Sequence, residues 1–274
     1  MSLKQPIYQI LVILLIGSCA ATKPTVQSKT NNIKSISEAL YNPQRHGNLS
    51  REDALKDVSN STKYDTSGSI IKYQKFDKGS IYETTIYKRN EDGELLSSET
   101  YDISNNIKSK TKTTFNKNGK VRHYKTFDKK ESLTSIQENE YDKSDNNISL
   151  SRKIINSGKT WITKKKYNST NQLIEEVDFN PDGTIRDTRI FKYGASGNEI
   201  ESVLTRPNGD YTKFVSQYDK NDNMTEQNWY KEDNTHYHKT SFEYLYDEKN
   251  NWITRKRYSN DELGMVWERK IEYY

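Results

Sequence analysis

From Tyr64 to Tyr274 an aromatic residue, a polar turn and an aliphatic residue recur at near-constant spacing, and this recurrence restricts the fold more than any other feature. Tyr141, Tyr167 and Tyr193 each open a similar turn and lie 26 residues apart. Phe115 extends the series backward by 26, and Tyr218 and Tyr246 extend it forward by 25 and 28. Further turns open at Phe127, Phe179, Tyr230 and Tyr258, so the unit is two hairpin turns per 26 residues. Asp92-Gly93, Asn118-Gly119 and Asp182-Gly183 stand where a hairpin needs a positive φ. Asn105 and Asn250 stand where glycine is commoner, because asparagine tolerates the left-handed region better than most side chains.

Between turns the spacing is even: six positions from Leu95 to Tyr101 and from Leu173 to Phe179, eight from Ile107 to Phe115 and from Ile185 to Tyr193. Even spacing predicts that both ends of a strand face one side, so each closing aromatic pairs with the next opening aliphatic across the turn. Strand centres are polar, as at Ser97, Glu99, Thr111, Thr113, His123, Lys125, Asp187 and Arg189. The expected fold is all-β: a long antiparallel meander of about sixteen short strands, forming a twisted open sheet or a spiral. Only 31% of the chain is hydrophobic and 30% is charged, which excludes a thick core. Twenty Tyr, seven Phe and four Trp exclude a disordered tail. The formal charge of +5 is spread among alternating signs with no basic stripe, so no nucleic-acid partner is expected.

The N-terminal segment is of a different kind. Lys4 precedes the apolar run Ile7 to Ile16, which ends in Ile16-Gly17-Ser18-Cys19. The run is too short for a mature transmembrane helix. Those last four residues resemble the lipobox of bacterial lipoproteins. The resemblance implies a signal peptide over 1–18, lipid on Cys19 and a membrane partner reached through that lipid. The protein has no other cysteine, so neither disulfides nor cysteine catalysis are expected. Residues 19–32 read as a flexible tether. The Lys, Asn, Ile and Tyr usage resembles Bacteroidota proteins, and no acidic residue precedes Glu38. Both features point to an outer-membrane lipoprotein facing the periplasm. Residues 33–62 are expected to hold a short helical segment, with a capping start at Ser50 and an apolar face from Ala54, Leu55 and Val58.

The repeat domain, expected over 64–274, resembles the YD repeats of RHS-type proteins and the related MORN-like repeats. Tyr64-Asp65 with Gly68, Tyr193 with Gly197-Asn198, and Tyr218-Asp219 with Asn223 carry the likeness. The resemblance implies a β-sheet spiral, which in long proteins builds a shell; this array is too short to enclose a toxin. Fold likeness leaves the function open.

Candidate sites are few. Asp219, Asn221 and Asn223 open like a calcium loop, but Met224 and Tyr230 occupy the places of its glycine and glutamate. His236 and His238, two apart on a strand, share a face as a metal pair would, and no third ligand accompanies them. No metal, cofactor or catalytic residue is therefore assigned, and no Gly-x-Ser-x-Gly, His-Glu-x-x-His or phosphate-cradling motif is present. Trp161, Trp229, Trp252 and Trp267 are the candidate ligand-binding residues, as stacking platforms for a glycan or peptide. Trp229 is expected to point away from Tyr230 and to be the most exposed of the four. The favoured function is a non-enzymatic cell-envelope scaffold with a glycan or protein partner. Two alternatives stand beside it: an envelope polysaccharide hydrolase, which needs a pocket of convergent carboxylates, and an immunity or structural partner of another secreted protein.

Overall fold

The computed structural model describes residues 32–42 and 50–274, so Cys19 and the signal and tether segments lie outside the described residues. In chain order the elements are β1 (Ile33–Tyr41), α1 (Arg51–Lys56), β2 (Val58–Tyr64), β3 (Ile70–Asp77), β4 (Ser80–Arg89), β5 (Leu95–Asp102), β6 (Ile107–Phe115), β7 (Val121–Asp128) and β8 (Leu133–Tyr141). They continue with β9 (Asn147–Ile154), β10 (Thr160–Tyr167), β11 (Leu173–Phe179), β12 (Ile185–Tyr193), β13 (Glu199–Thr205), β14 (Tyr211–Tyr218), β15 (Met224–Tyr230), β16 (His236–Tyr246), β17 (Trp252–Ser259) and β18 (Glu262–Tyr273).

Most of the five-residue loops share one backbone plan. The backbone amide of the opening Asp65 bonds the Ser69 carbonyl at 2.9 Å, and Gly68 returns its amide to the Asp65 carbonyl at 3.0 Å. Oδ1 of Asp65 accepts from the amides of Ser67 and Ser69, both at 2.9 Å. Asp102, Asn116, Asp128, Asp142, Asn168, Asp219 and Asp247 repeat this double acceptance, which is why Asp or Asn recurs after the aromatic residue. The fourth loop residue is left-handed: Gly68 has φ +82°, Asn105 +61° and Asn250 +60°.

The expected cross-turn pairs form, including Tyr101 with Ile107, Phe115 with Val121, Tyr167 with Leu173 and Phe179 with Ile185. Each of these pairs sits at a register shift, where the left-handed loop residue closes a bulge. Alternation is therefore interrupted beside each of these turns, and for these strands the expectation that both ends share a face is corrected.

The larger correction concerns closure. Every strand pairs antiparallel with the next, and β1 pairs with both β2 and β18: Ile36 stands opposite Thr62 on one side and Ile271 on the other. The eighteen strands thus form a ring, an up-and-down barrel rather than an open sheet or spiral. The closing strand comes from the segment read as helical. Ile33, Ile36 and Leu40 are spaced three and four apart like a helical stripe, yet the unsatisfied edges of β2 and β18 capture the segment as a strand. Among the described residues of 33–62, Arg51–Lys56 are the helical ones; Ser50 Oγ caps them by accepting from the Asp53 amide at 3.0 Å. This helix packs on the outside of β1, where Ala54, Ala39 and Val266 are 5%, 8% and 0% exposed.

Tracing alternation through the register separates two faces. Outward lie Lys110, Lys112, Lys125, Glu138, Lys164, Glu175, Lys192, Glu201, Glu243 and Lys256. Inward lie Thr85, Thr100, Thr111, Tyr124, Gln137 and Asn139 on one side of the ring and Arg189, Phe191, Phe214, Trp229, Tyr244 and Arg255 on the other. The inward face is not sealed: Thr113, Asn139, Phe191, Ser202 and Ser216 are buried, while the rest of these inward side chains are half-buried. A ring of eighteen strands is of the size that leaves an aqueous interior.

The two rims differ. β1 begins, β18 ends and the even-numbered strands turn at the same rim, because Ile33 pairs with Tyr273. At this rim tyrosine hydroxyls donate to the backbone carbonyl twenty residues earlier: Tyr141 to Val121 (2.9 Å), Tyr167 to Asn147 (2.9 Å), Tyr193 to Leu173 (2.7 Å) and Tyr244 to Met224 (2.9 Å). Tyr218 reaches Glu199, nineteen back, at 2.7 Å. Each rung ties one hairpin to the one before it, which gives a physical reason for tyrosine rather than phenylalanine here. The other rim carries outward aromatics, with Lys112 5.4 Å from the Phe127 ring centroid, Lys164 5.6 Å from Phe179 and Lys213 5.2 Å from Tyr230.

Candidate lumenal site

The inward wall from β12 to β1 gathers rings and guanidinium groups. Alternation on β17 turns Arg255 and Arg257 inward, and the register sets Arg255 between Tyr244 and Trp267 and Arg257 between Phe242 and Met265. The Arg255 guanidinium carbon lies 4.0 Å from the Trp267 ring centroid and 4.9 Å from that of Trp252. Arg269 on β18 lies 3.3 Å from the Trp252 centroid, so guanidinium groups and indoles alternate along the wall. Arg269 Nε also donates to Glu38 Oε2 at 3.0 Å, and Asn60 Nδ2 donates to Glu38 Oε1 at 3.2 Å. Burial holds both Arg255 and Arg269 below the usual arginine range. Phe242, Tyr244 and Tyr246 stack along β16 at centroid separations of 6.3 and 6.0 Å.

The four tryptophans do not converge. Trp252 and Trp267 share the arginine stack. Trp229 lies farther along the wall, edge-on to Phe214 at 5.1 Å, His238 at 4.7 Å and Tyr237 at 6.3 Å, with Nε1 donating to Gln227 at 3.1 Å. It does point to the face opposite Tyr230, but that face is the inside, where Trp229 is half-buried. Trp161 stands apart, opposite Arg152 on the β9–β10 pair. The sequence reading missed Arg255, Arg257 and Arg269; the spacing Arg255-x-Arg257 with Trp267-x-Arg269 on consecutive strands was the available signal.

The remaining candidates find local roles. Asp219 Oδ1 holds its own turn at 2.8 and 3.0 Å, and Oδ2 accepts from the Tyr246 hydroxyl, so the turn accounts for the acidic opening. Burial and that carboxylate together push Tyr246 up to about 12. His236 and His238 do not share a face: a register shift at Tyr237 separates them, and His236 bonds outward Asn228 at 3.1 Å while His238 lies against inward Trp229. Asp178 and Asp187 face each other across β11 and β12, and Arg186 donates to both at 2.5 and 2.7 Å. A cavity of about 520 Å³ lies outside the barrel between α1 and β18, lined by Arg51, Glu52, Leu55 and Glu268.

No protein-family model and no curated protein matches the chain. Among solved structures, it is similar to a porin-like protein from Bacteroides uniformis, with 9% identity, a TM-score of 0.48 and coverage of 88% of this chain and 98% of that one. A porin-like protein from Bacteroides vulgatus shares 11% identity at a TM-score of 0.32 over the same shares. The Photorhabdus luminescens Tc holotoxin pore shares 15% identity at a TM-score of 0.38, covering 76% of this chain and 12% of that one. These are likenesses of chain trace; what the barrel does is read below from its own side chains.

Proposed function

We propose that the protein is a non-enzymatic binding scaffold of the bacterial cell envelope, held to the membrane by lipid on Cys19, with its ligand surface on the inside of the barrel. The observation that carries this reading is the half-exposed inward wall of Phe214, Trp229, Phe242, Tyr244, Trp252 and Trp267. Rings arranged in this way inside a polar barrel offer contact area at low entropic cost and a polar edge at each site. The outward face supports an aqueous rather than a spanning barrel. Lys110, Lys125 and Lys164 stand near mid-strand, and a lysine facing lipid at the bilayer centre costs about 2–4 kcal/mol. β1 begins at the rim of tyrosine rungs, so the segment that would carry the lipid leads into that rim. The hydrolase alternative has its nearest inward acid pair in Asp178 and Asp187, and Arg186 already neutralises it.

The test has two parts. Membrane fractions from cells carrying Cys19→Ala should lose the protein to the soluble fraction; retention removes the anchor. Tryptophan fluorescence of the purified protein should change on adding soluble envelope glycans, and Trp229→Phe and Trp252→Phe should each remove part of that change. Binding unaffected by all four Trp→Phe substitutions would place the ligand outside the barrel.

A further inference from the structure

We infer that the ligand of the lumen is anionic, and that Arg255 and Arg257 form its recognition site for carboxylate groups carried on an oligosaccharide. The inference rests on the lumenal-binding reading above and adds the chemistry of what binds.

Ion pairs occur on both faces of the barrel, and two arginines of this wall stand outside them. Several outward cations have counter-ions close by: Lys110 with Glu99 at 2.9 Å, Lys166 with Glu175 at 2.7 Å, Lys192 with Glu201 at 2.6 Å and Lys256 with Glu243 at 3.1 Å. Inward, Arg269 has Glu38 at 3.0 Å, Lys75 has Glu83 at 2.7 Å and Lys165 has Glu176 at 3.6 Å. Arg255 and Arg257 have neither an ion pair nor a hydrogen bond among the described residues, and the Nε–H of each is buried without an acceptor. Their cross-strand neighbours on both sides are Tyr244, Trp267, Phe242 and Met265, none of them a carboxylate. Glu38, the acid whose charge acts on Arg255, is committed to Arg269 and Asn60.

Two adjacent guanidinium groups whose buried Nε–H groups meet no acceptor are costly to hold in a half-buried wall, since an unmade bond to a buried donor costs about 1–3 kcal/mol. An oxyanion offsets that cost. A guanidinium fork matches a carboxylate in bidentate fashion, and stacking on indole fixes the plane of the fork in advance. Trp252 and Trp267 therefore act on Arg255 as positioning residues: their faces carry guanidinium groups at 3.3 to 4.9 Å, which turns them from platforms for the ligand into supports for its cation. Trp229 and Phe214, farther along the same wall, carry Arg189 5.7 Å from the Phe214 centroid and extend the site toward a second charge on the same chain. Aromatic edges alternating with arginines fit a chain of sugar rings that bears acidic groups at intervals.

The experiment is calorimetric titration of the mature protein in nonionic detergent with three probes: tetragalacturonate, the neutral maltotetraose, and inorganic pyrophosphate. Tetragalacturonate should bind, its affinity should fall with added salt, and Arg255→Gln and Arg257→Gln should each weaken it at least tenfold. Each variant should melt at or above the wild-type temperature without ligand, because a merely structural arginine would lower it. Pyrophosphate binding tighter than tetragalacturonate would replace the sugar carboxylate by phosphate and overturn the oligosaccharide assignment. Equal binding of maltotetraose, unaffected by the arginine substitutions, would overturn the anionic ligand while leaving lumenal binding intact. Absence of binding by all three probes would overturn the acidic-oligosaccharide proposal; the tryptophan-fluorescence test with envelope glycans then decides separately whether the lumen binds anything.

Discussion

Replacing Tyr218 by phenylalanine removes one hydroxyl and nothing else, which makes it a clean probe of the rim. That hydroxyl donates to the Glu199 carbonyl at 2.7 Å, tying β14 to the start of β13 in a half-buried setting. A hydrogen bond of this kind is worth about 0.5–1.5 kcal/mol net, and the ring that packs around it is kept. For a folded unit of 150–250 residues, a loss of 1 kcal/mol lowers Tm by about 2–4 °C. Neighbouring rungs sit two strands apart, about 9.6 Å, so their effects should add. Substituting Tyr141, Tyr167, Tyr193, Tyr218 and Tyr244 together should therefore cost about 5 kcal/mol, a large share of the 5–15 kcal/mol typical of a domain. Tyr82, 41% exposed on β4, is the matched control. Circular-dichroism melts and urea titrations measure both. If Tyr218→Phe melts within 1 °C of Tyr82→Phe, the rungs do not hold the hairpins together.

Further outcomes follow from the same geometry. Burial, with hydrogen bonds to Asp219 and Asp247, raises Tyr246 and Tyr273 to about 12 from 10.0; their contribution to stability is full below pH 10 and lost as pH rises through 12. Phenolate absorbance at 295 nm should show two late-titrating groups, and Tyr246→Phe should remove one of them. On the acid side, hydrogen bonds from Lys110 and Tyr101 hold Glu99 at about 2 against 4.5, so its contribution is present above pH 4.5 and lost as pH falls toward 2. Melting curves between pH 2 and 6 should flatten in Glu99→Gln. Glu131 occupies a left-handed loop position at φ +60°, and Glu131→Gly should raise stability by about 1 kcal/mol. Gly183→Ala should lower it by a similar amount, purely through φ of +84°, because a Cβ there meets nothing within 4 Å; urea midpoints moving in the same direction for both substitutions would refute the assignment.

The hairpin array was legible because its determinants are local: an aromatic, then Asp or Asn to accept two amides, then Gly or Asn at positive φ. The pairing of Tyr101 with Ile107 and of Phe115 with Val121 follows from spacing alone. Closure was not legible, since Ile33–Tyr41 has apolar spacing that suits a helix and becomes a strand only because two edges, β2 and β18, meet around it. The same holds for the site. Trp252 and Trp267 stood out as bulky residues, whereas the meaning of Arg255 depends on the partners that long-range register provides or denies. His236 and His238 show the limit of counting by twos, for a single bulge at Tyr237 sends them to opposite faces.

A lumen exists only if the first and last strands meet, and the most direct measurement is a cross-link across that seam. Ser37 and Lys270 stand directly opposite each other on β1 and β18, on the outward face. Opposed residues in antiparallel strands have Cα atoms about 4.5–5.5 Å apart, within the range a disulfide spans. In a Cys19→Ala background, Ser37→Cys with Lys270→Cys should oxidise within one molecule at dilute concentration, so that fragments cut by protease between them stay joined until reduced. A chain that remains reduced, or that links only to other molecules, contradicts a closed barrel and with it a binding surface inside.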